Sequence, residues 1–401
     1  MTMRVFSEFL TESKNLHMEH LEDSVFNEGS AGVLEAIRFL EAIKNMLTSS
    51  EKSGIRVTVK WDGAPAVFAG TNPENDKFFV GTKSIFNKVT PKINYTNADI
   101  DSNHSGNLAN KLKIALKYMP DLGIKDVLQG DLLFTDDVAP EKIDGEIYYT
   151  FTPNTITYAV PVASKMGKVI KKAKMGIVFH TKYSGKTMAD MSASFNPNVQ
   201  SLSSSSNIYF SDADVEDFSG VMITDAEKKD IENALTKCKS FLKKSTKVID
   251  TISRDDKLVE QIKIFSNVLI RMGAVNATVA EFINHMEDRF DAEIEKATSD
   301  RVKSNKQKAK KDFMKKIGNN KSALQASFAL HTALIDAKMP LIRKLESIKS
   351  MSSFIKTNDG YRVTAPEGFV AIDLDGKALK LIDRLEFSRA NFTVAKNWDK
   401  T

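Results

Sequence analysis

Residues 57–63 read "VTVKWDG", and the reading of this stretch decides the fold. Val57, Thr58 and Val59 are β-branched and alternate with Arg56 and Lys60 as a half-buried strand requires. Trp61, Asp62 and Gly63 follow, and after Ala64-Pro65 a second apolar run, "AVFAG", begins. The plain reading is a strand, a tight turn at Asp62-Gly63 and a second strand, which accounts for the Asp and the Gly. It leaves Lys60 unexplained. An ammonium group beside apolar walls is uncommon without a partner, and desolvation lowers its pKa towards nucleophilic competence.

Outward from this point the texture changes twice. From about 55 to 222 short β-type runs alternate with turn residues: "IRVTVKW", "PAVFAG", "FFVGTK", "VLQGDLLF", "EIYYTF", "TITYAVPV" and "MGIVFHTKY". One helix, "GNLANKLKIALKYM", interrupts them, and "SLSSSSN" at 201–207 is a surface loop by composition. Upstream, "AGVLEAIRFLEAIKNML" sets Val33, Ile37, Leu40, Ile43 and Leu47 on one helical stripe. From about 225 to 356 helical periodicity predicts four or five amphipathic helices, enough for a separate bundle. β texture returns in "GFVAIDL" and "KALKLID". The expected organisation is α+β: an N-terminal helical segment at 1–50, a β core at 51–222 and 357–401, and a helical domain inserted at 223–356.

The 401 residues are 42% hydrophobic and 27% charged, which leaves room for two or more cores. No apolar run reaches the roughly 18 residues that a membrane span needs. The opening "MTMRVFSEFLTESKN" lacks the apolar centre of a signal peptide. Cys238 is the sole cysteine, so an intrachain disulfide and a cysteine metal cluster are excluded, and a reducing, cytoplasmic setting is expected. Net charge is +5, but Arg301 to Lys321 alone carries nine basic residues against Asp312. The remainder is therefore slightly acidic. A concentrated basic element points to a phosphate-rich partner, and a solvated helix face is the alternative.

Lys60-Trp61-Asp62-Gly63 resembles motif I, K-x-D-G, of the covalent nucleotidyltransferases, which include ATP-dependent DNA ligases, RNA ligases and capping enzymes. "LQGDLLF" (128–134) is similar to motif III, with Asp131 where that family has Glu. "NTITYAVPV" (154–162) is similar to the aromatic strand of motif IIIa, and Glu367-Gly368-Phe369-Val370 matches motif IV, E-G-x-V. "KALKLIDR" sets Lys377 and Lys380 where motif V has its lysines. The order and texture resemble the small bacteriophage-type ATP-dependent RNA ligases.

The resemblance implies a nucleotidyltransferase (ATP-grasp-like ligase) fold with an antiparallel β core, and a chemistry that needs these residue types. Lys60 would attack the α-phosphorus of ATP, so it must lose a proton from a group whose ordinary pKa is about 10.4. Burial and the ammonium groups of Lys377 and Lys380 would lower that value, and the same cations would neutralise the phosphate oxygens. Glu367 and Asp131 would hold Mg²⁺ (or Mn²⁺), and Tyr158 would stack on the purine. Asp62, Gly63 and Lys83 would complete the nucleotide site. Lys308, Lys310, Lys311, Lys315 and Lys316 would meet the phosphates of a nucleic acid, RNA ahead of DNA.

The pattern departs from the family in places. Pro65 stands where DNA ligases carry Arg after motif I, as the looser RNA-ligase pattern permits. "KMGIVFHTKYSG" (174–185) competes as motif IV, but Met175 stands where Glu is required. Only 21 residues follow Lys380, so an oligonucleotide-binding barrel is not expected. Rival sites are thinner: His17 and His20 beside Glu19 lack a third ligand, and Asp136-Asp137 reads as a turn. Three readings therefore stand: an RNA ligase, a DNA ligase of the same superfamily, and a ligase-like nucleic-acid-binding or assembly protein without catalysis.

Overall fold

The computed structural model describes residues 18–48, 54–143, 145–195, 197–213, 222–347, 352–357, 360–363 and 367–388. A short strand, β1 (Glu19–His20), and a 3-10 turn (Leu21–Asp23) lead into a long helix, α1 (Ser24–Thr48). Next come β2 (Ile55–Lys60), β3 (Ala66–Thr71), β4 (Phe78–Gly81), α2 (Asn97–Asn103) and α3 (Gly106–Tyr118). They are followed by β5 (Val127–Phe134), β6 (Ala139–Ile143), β7 (Glu146–Phe151), β8 (Thr157–Pro161) and α4 (Lys165–Ile170). β9 (Met175–Ser184), β10 (Ser192–Ser194) and β11 (Ile208–Asp212) precede the helical block. That block is α5 (Asp225–Ser253), α6 (Asp256–Arg271), α7 (Val279–Glu295), α8 (Asp300–Asn319) and α9 (Lys321–Leu345). The last strands are β12 (Ser352–Thr357), β13 (Gly360–Val363), β14 (Gly368–Asp373) and β15 (Ala378–Leu381).

The strands form three sheets, in the orders β1-β15-β14-β2, β10-β9-β5-β3-β4 with β11 on β9, and β13-β12-β8-β7-β6. β1 on β15 and β11 on β9 are parallel, and every other named pair is antiparallel. The class is α+β. Among the described residues, no helix is long and apolar enough to cross a membrane.

The expected hairpin at Asp62-Gly63 is not formed. β2 pairs with β14 in the first sheet, whereas β3 pairs with β4 and β5 in the second. The "WDGAP" segment is therefore a crossing between sheets, stitched to β5. Ala64 N–H donates to Leu132 O at 3.0 Å, and Leu132 N–H donates to Pro65 O at 3.1 Å. Gly63 is required by this approach, because a Cβ there would lie 2.6 Å from Asp131 Cβ.

The helices are not a separate body either. Val33, Ile37, Leu40, Ile43 and Leu47 of α1 are all buried, as their spacing predicts. They share one continuous core with Leu235 and Ile249 of α5, Leu334 and Leu341 of α9, and Val57, Val59, Phe369 and Leu379 of the first sheet. α1 bends at Gly29, whose φ is 59°, where α5 presses against it. Asp250 accepts from Ser30 N–H at 2.7 Å, and a Cβ at position 29 would stand 2.5 Å from that carboxylate. A second core lies between the other sheet and α3, through Val67, Leu128, Ile177 and Leu112.

Candidate functional site

The first sheet brings the two ends of the sequence together. Gly368 of β14 is the register partner of Lys60, and Val370 lies between Thr58 and Lys380. Strand alternation puts Thr58, Lys60, Val370 and Lys380 on one face. The opposite face carries Val57, Val59, Phe369 and Leu379 into the core. Lys60 is thus the last residue of a strand whose apolar side chains fix it in place while its own side chain faces away from them.

Lys60 Nζ forms an ion pair with Glu367. Burial works against the ammonium charge, but Glu367, Asp131 and Asp62 outweigh it and hold the pKa above the ordinary lysine value. This reverses the expected lowering, because carboxylates rather than lysines crowd the amine. Burial pushes Glu367 up to about 7, with Asp62 and Asp131 adding to the rise and Lys60 opposing it. Lys380 is the lysine whose pKa falls, through burial and then through the charge on Lys60.

Asp62 is buried and acts as a clamp. Its carboxylate accepts from Asn154 Nδ2, Thr155 N–H and Ile156 N–H, each at 2.7 Å. The Asp62 N–H donates to Tyr158 Oη at 2.7 Å. Tyr158 does not offer the stacking face expected of it: it is 2% exposed, with Trp61 and Phe151 rings 5.0 and 5.7 Å away. It braces the loop from below. Asp131, opposite Ala66 and Val178, lies 3.8 Å from His180 Nε2. Lys83 is exposed and opens the 3-10 turn that follows β4, at the end of the sheet that holds Ala66.

Lys377 does not join this group. Its ammonium pairs with Glu28 and Glu35 of α1, on the far side of the sheet from Lys60. The turn Asp373–Lys377 precedes β15, so the two motif V lysines leave the strand in opposite directions. Lys310 and Lys316 are likewise engaged, with Asp291 at 2.7 Å and Asp255 at 2.6 Å. Lys308, Lys311 and Lys315 stand exposed on the outer side of α8 and form no ion pair among the described residues.

A divalent cation suits the site by donor type. Glu367 and Asp131 supply hard oxygen ligands, and the repulsion by which Asp62 and Asp131 add to the burial-driven rise of the Glu367 pKa is what a cation would relieve. Among the described residues, no group of three or more His, Cys, Asp and Glu side chains has a metal-holding arrangement. Of the rival sites, His17 lies outside the described residues and His20 is half-buried near Glu22. Asp136 and Asp137 form the expected turn, accepting from Thr135 Oγ1 and Thr135 N–H.

Three neighbours of the site escape sequence reading. Asn154 and Thr155, which open the stretch read as motif IIIa, hold Asp62 through a side-chain amide and a backbone N–H, and their residue types did not mark them as its partners. His180 lies within the stretch rejected as motif IV, where its strand register alone brings it to Asp131. The chain matches no curated protein and no solved structure. The model of a family of unknown function (DUF6267) matches residues 15–396, and the chain belongs to that family.

Proposed function

We propose that the protein is a covalent nucleotidyltransferase, an ATP-dependent polynucleotide ligase acting on RNA ahead of DNA. The observation that carries this reading is the pairing of the motif I strand with the sequence-remote hairpin of motifs IV and V, with Lys60 paired to Glu367 and Lys380 on the same face. In the reaction, the neutral Lys60 amine attacks the α-phosphorus of ATP. An N–P bond forms, the bond from the α-phosphorus to the bridging oxygen breaks, and pyrophosphate leaves with that electron pair. Glu367, which already accepts the Lys60 proton in a hydrogen bond and whose pKa burial pushes up to about 7, is placed to receive it. Lys380 lies beside Lys60 and would offset charge on the phosphate.

Asp131, joined by Glu367 when its carboxylate is ionised, would hold Mg²⁺ or Mn²⁺. The ion supplies charge neutralisation of the triphosphate. The adenylyl group then passes to a 5′-phosphate end, and a 3′-hydroxyl displaces AMP as the ends join. The outward lysines of α8 support a nucleic-acid partner.

Incubation with radiolabelled ATP and Mg²⁺ tests the reading. The expected result is a covalent, acid-labile adenylyl label with release of pyrophosphate. Absence of any label, with nucleic-acid binding retained, would favour the non-catalytic binding protein.

A further inference from the structure

Between Glu146 and Asp190 the chain holds no acidic residue, yet it holds seven lysines. Five of them, Lys165, Lys168, Lys171, Lys172 and Lys174, crowd into the turn of α4 and its exit. All five are exposed, and none forms an ion pair among the described residues. Other basic elements are partly compensated: Lys182 is held by Asp126, and α8 sets Lys306, Lys310 and Lys316 on neighbouring acids while Lys308, Lys311 and Lys315 stay outward. Uncompensated cations packed this closely repel one another, and a polyanion removes that repulsion.

The turn is firmly built. Ser164 caps α4 by accepting from Gly167 N–H at 2.9 Å. Gly167 lies so near Pro161 that a Cβ would meet its carbonyl oxygen at 2.3 Å. Met166, Ile170 and Ala173 pack into the main core, at spacings of four and three, which turns the lysines outward. With Met166, Ile170 and Ala173 taken up by the core, Val169 is the one large apolar side chain that α4 exposes, too little for the hydrophobic face that a membrane-surface helix uses.

Both flanking strands run to the candidate site. β8 starts directly after the Asn154–Ile156 loop that grips Asp62. On the other side, Val178 of β9 is the register partner of Asp131. Lys174 is four positions upstream of Val178, about 13 Å along a strand.

We propose that the lysine turn Lys165–Lys174 is the surface on which the sugar–phosphate backbone of the substrate strand lies as it enters the Lys60 site. The assignment of that strand as substrate rests on the nucleotidyltransferase reading, whereas the phosphate-binding surface rests on the charge and its placement. Contacts of this kind fix a strand without reading its bases.

The test is equilibrium binding of single-stranded RNA and DNA oligonucleotides of matched sequence across a salt series. It compares the wild-type chain with a Lys168→Gln, Lys171→Gln, Lys172→Gln variant. The variant should bind both more weakly, and the slope of log affinity against log salt should flatten by about 2, at roughly 0.7 per lost contact on single strands. Unchanged affinity and slope overturn the proposal. So does a variant that loses binding to phosphatidylserine vesicles while keeping its affinity for oligonucleotides. Self-labelling of the wild-type chain with ATP, measured alongside, isolates the other claim. Lysine-dependent binding by a chain that takes no label would keep the surface and remove the enzymatic reading.

Discussion

At the scale of residues, Lys60 was legible because its chemical type conflicted with its surroundings, and the same conflict shaped the expectation about its pKa. The sign of that expectation came out reversed. Sequence order showed which lysines lie near motif V but not that Lys377 would turn to Glu28 and Glu35, nor that three carboxylates would surround Lys60. The consequence is measurable. Only the neutral amine attacks, so the rate of self-adenylylation should climb with pH as the Lys60 ammonium, held by its carboxylates above the ordinary lysine value of about 10.4, gives up its proton. Glu367→Gln removes the strongest of the groups that raise the Lys60 pKa. Its rising limb should move to lower pH, even though the maximal rate falls with loss of the proton acceptor. A limb that stays put in a pH–rate series would show that Glu367 does not hold the Lys60 proton.

At the scale of elements, the α1 stripe was readable from periodicity, since burial on one face is what periodicity records, and β5 from a short apolar run that is buried on both faces. The elements missed have physical reasons. β6 contains Pro140 and is mostly exposed, and β10 has three residues, so neither imposes an apolar alternation. The hairpin failed because Asp62 and Gly63 serve a clamp and a close approach rather than a two-residue turn. α8 shows how a charge run divides. Phe313, Met314 and Ile317 face inward with Lys306, Lys310 and Lys316, leaving Lys308, Lys311 and Lys315 on the wet side. Replacing that outward trio with Gln should lower nucleic-acid affinity and reduce the salt slope by about 2 on single strands. Lys310→Gln with Lys316→Gln should instead shift thermal stability, by no more than about 1 kcal/mol per exposed pair. Equal loss of binding from both sets in a fluorescence titration would mean that the effect follows net charge, not the face.

At the scale of the whole molecule, the helical block is fastened to the motif sheet by buried charge as well as by a shared core. Glu22 in the first 3-10 turn pairs with Lys338 of α9 at 2.5 Å, both side chains almost fully buried. Asp23 accepts from Arg384 at 3.3 Å and lies 3.2 Å from His331 Nε2. His20, whose strand partner is Lys380, is pushed by burial down to about 3. No sequence rule pairs residues so far apart, so this fastening was invisible before the fold was known. Lys338→Met strands the Glu22 carboxylate without a cation and should cost about 3–5 kcal/mol in urea unfolding, with Glu22→Gln added to Lys338→Met recovering much of it. Acid should act on the same cluster. His20 stays neutral in the folded chain and takes a proton when unfolded, so stability should fall as pH drops from 6.5 towards 3. Burial raises the Glu22 pKa, but Lys338 together with the neighbouring His20 and Arg384 more than offsets it, which leaves a carboxylate whose stabilisation is lost as acid protonates it. A flat stability profile through that range would detach the cluster from the fold's integrity.

The central claim is that Lys60 forms the covalent bond to the nucleotide. Peptide mapping by mass spectrometry, after incubation with ATP and Mg²⁺, tests it most directly. The expected result is an adenylyl group on the peptide containing Lys60 and its loss in Lys60→Arg, whose guanidinium keeps the charge but stays protonated. The same variant should still join a pre-adenylylated strand in part. An adenylyl group found on another lysine, or a label that survives in Lys60→Arg, would contradict the account.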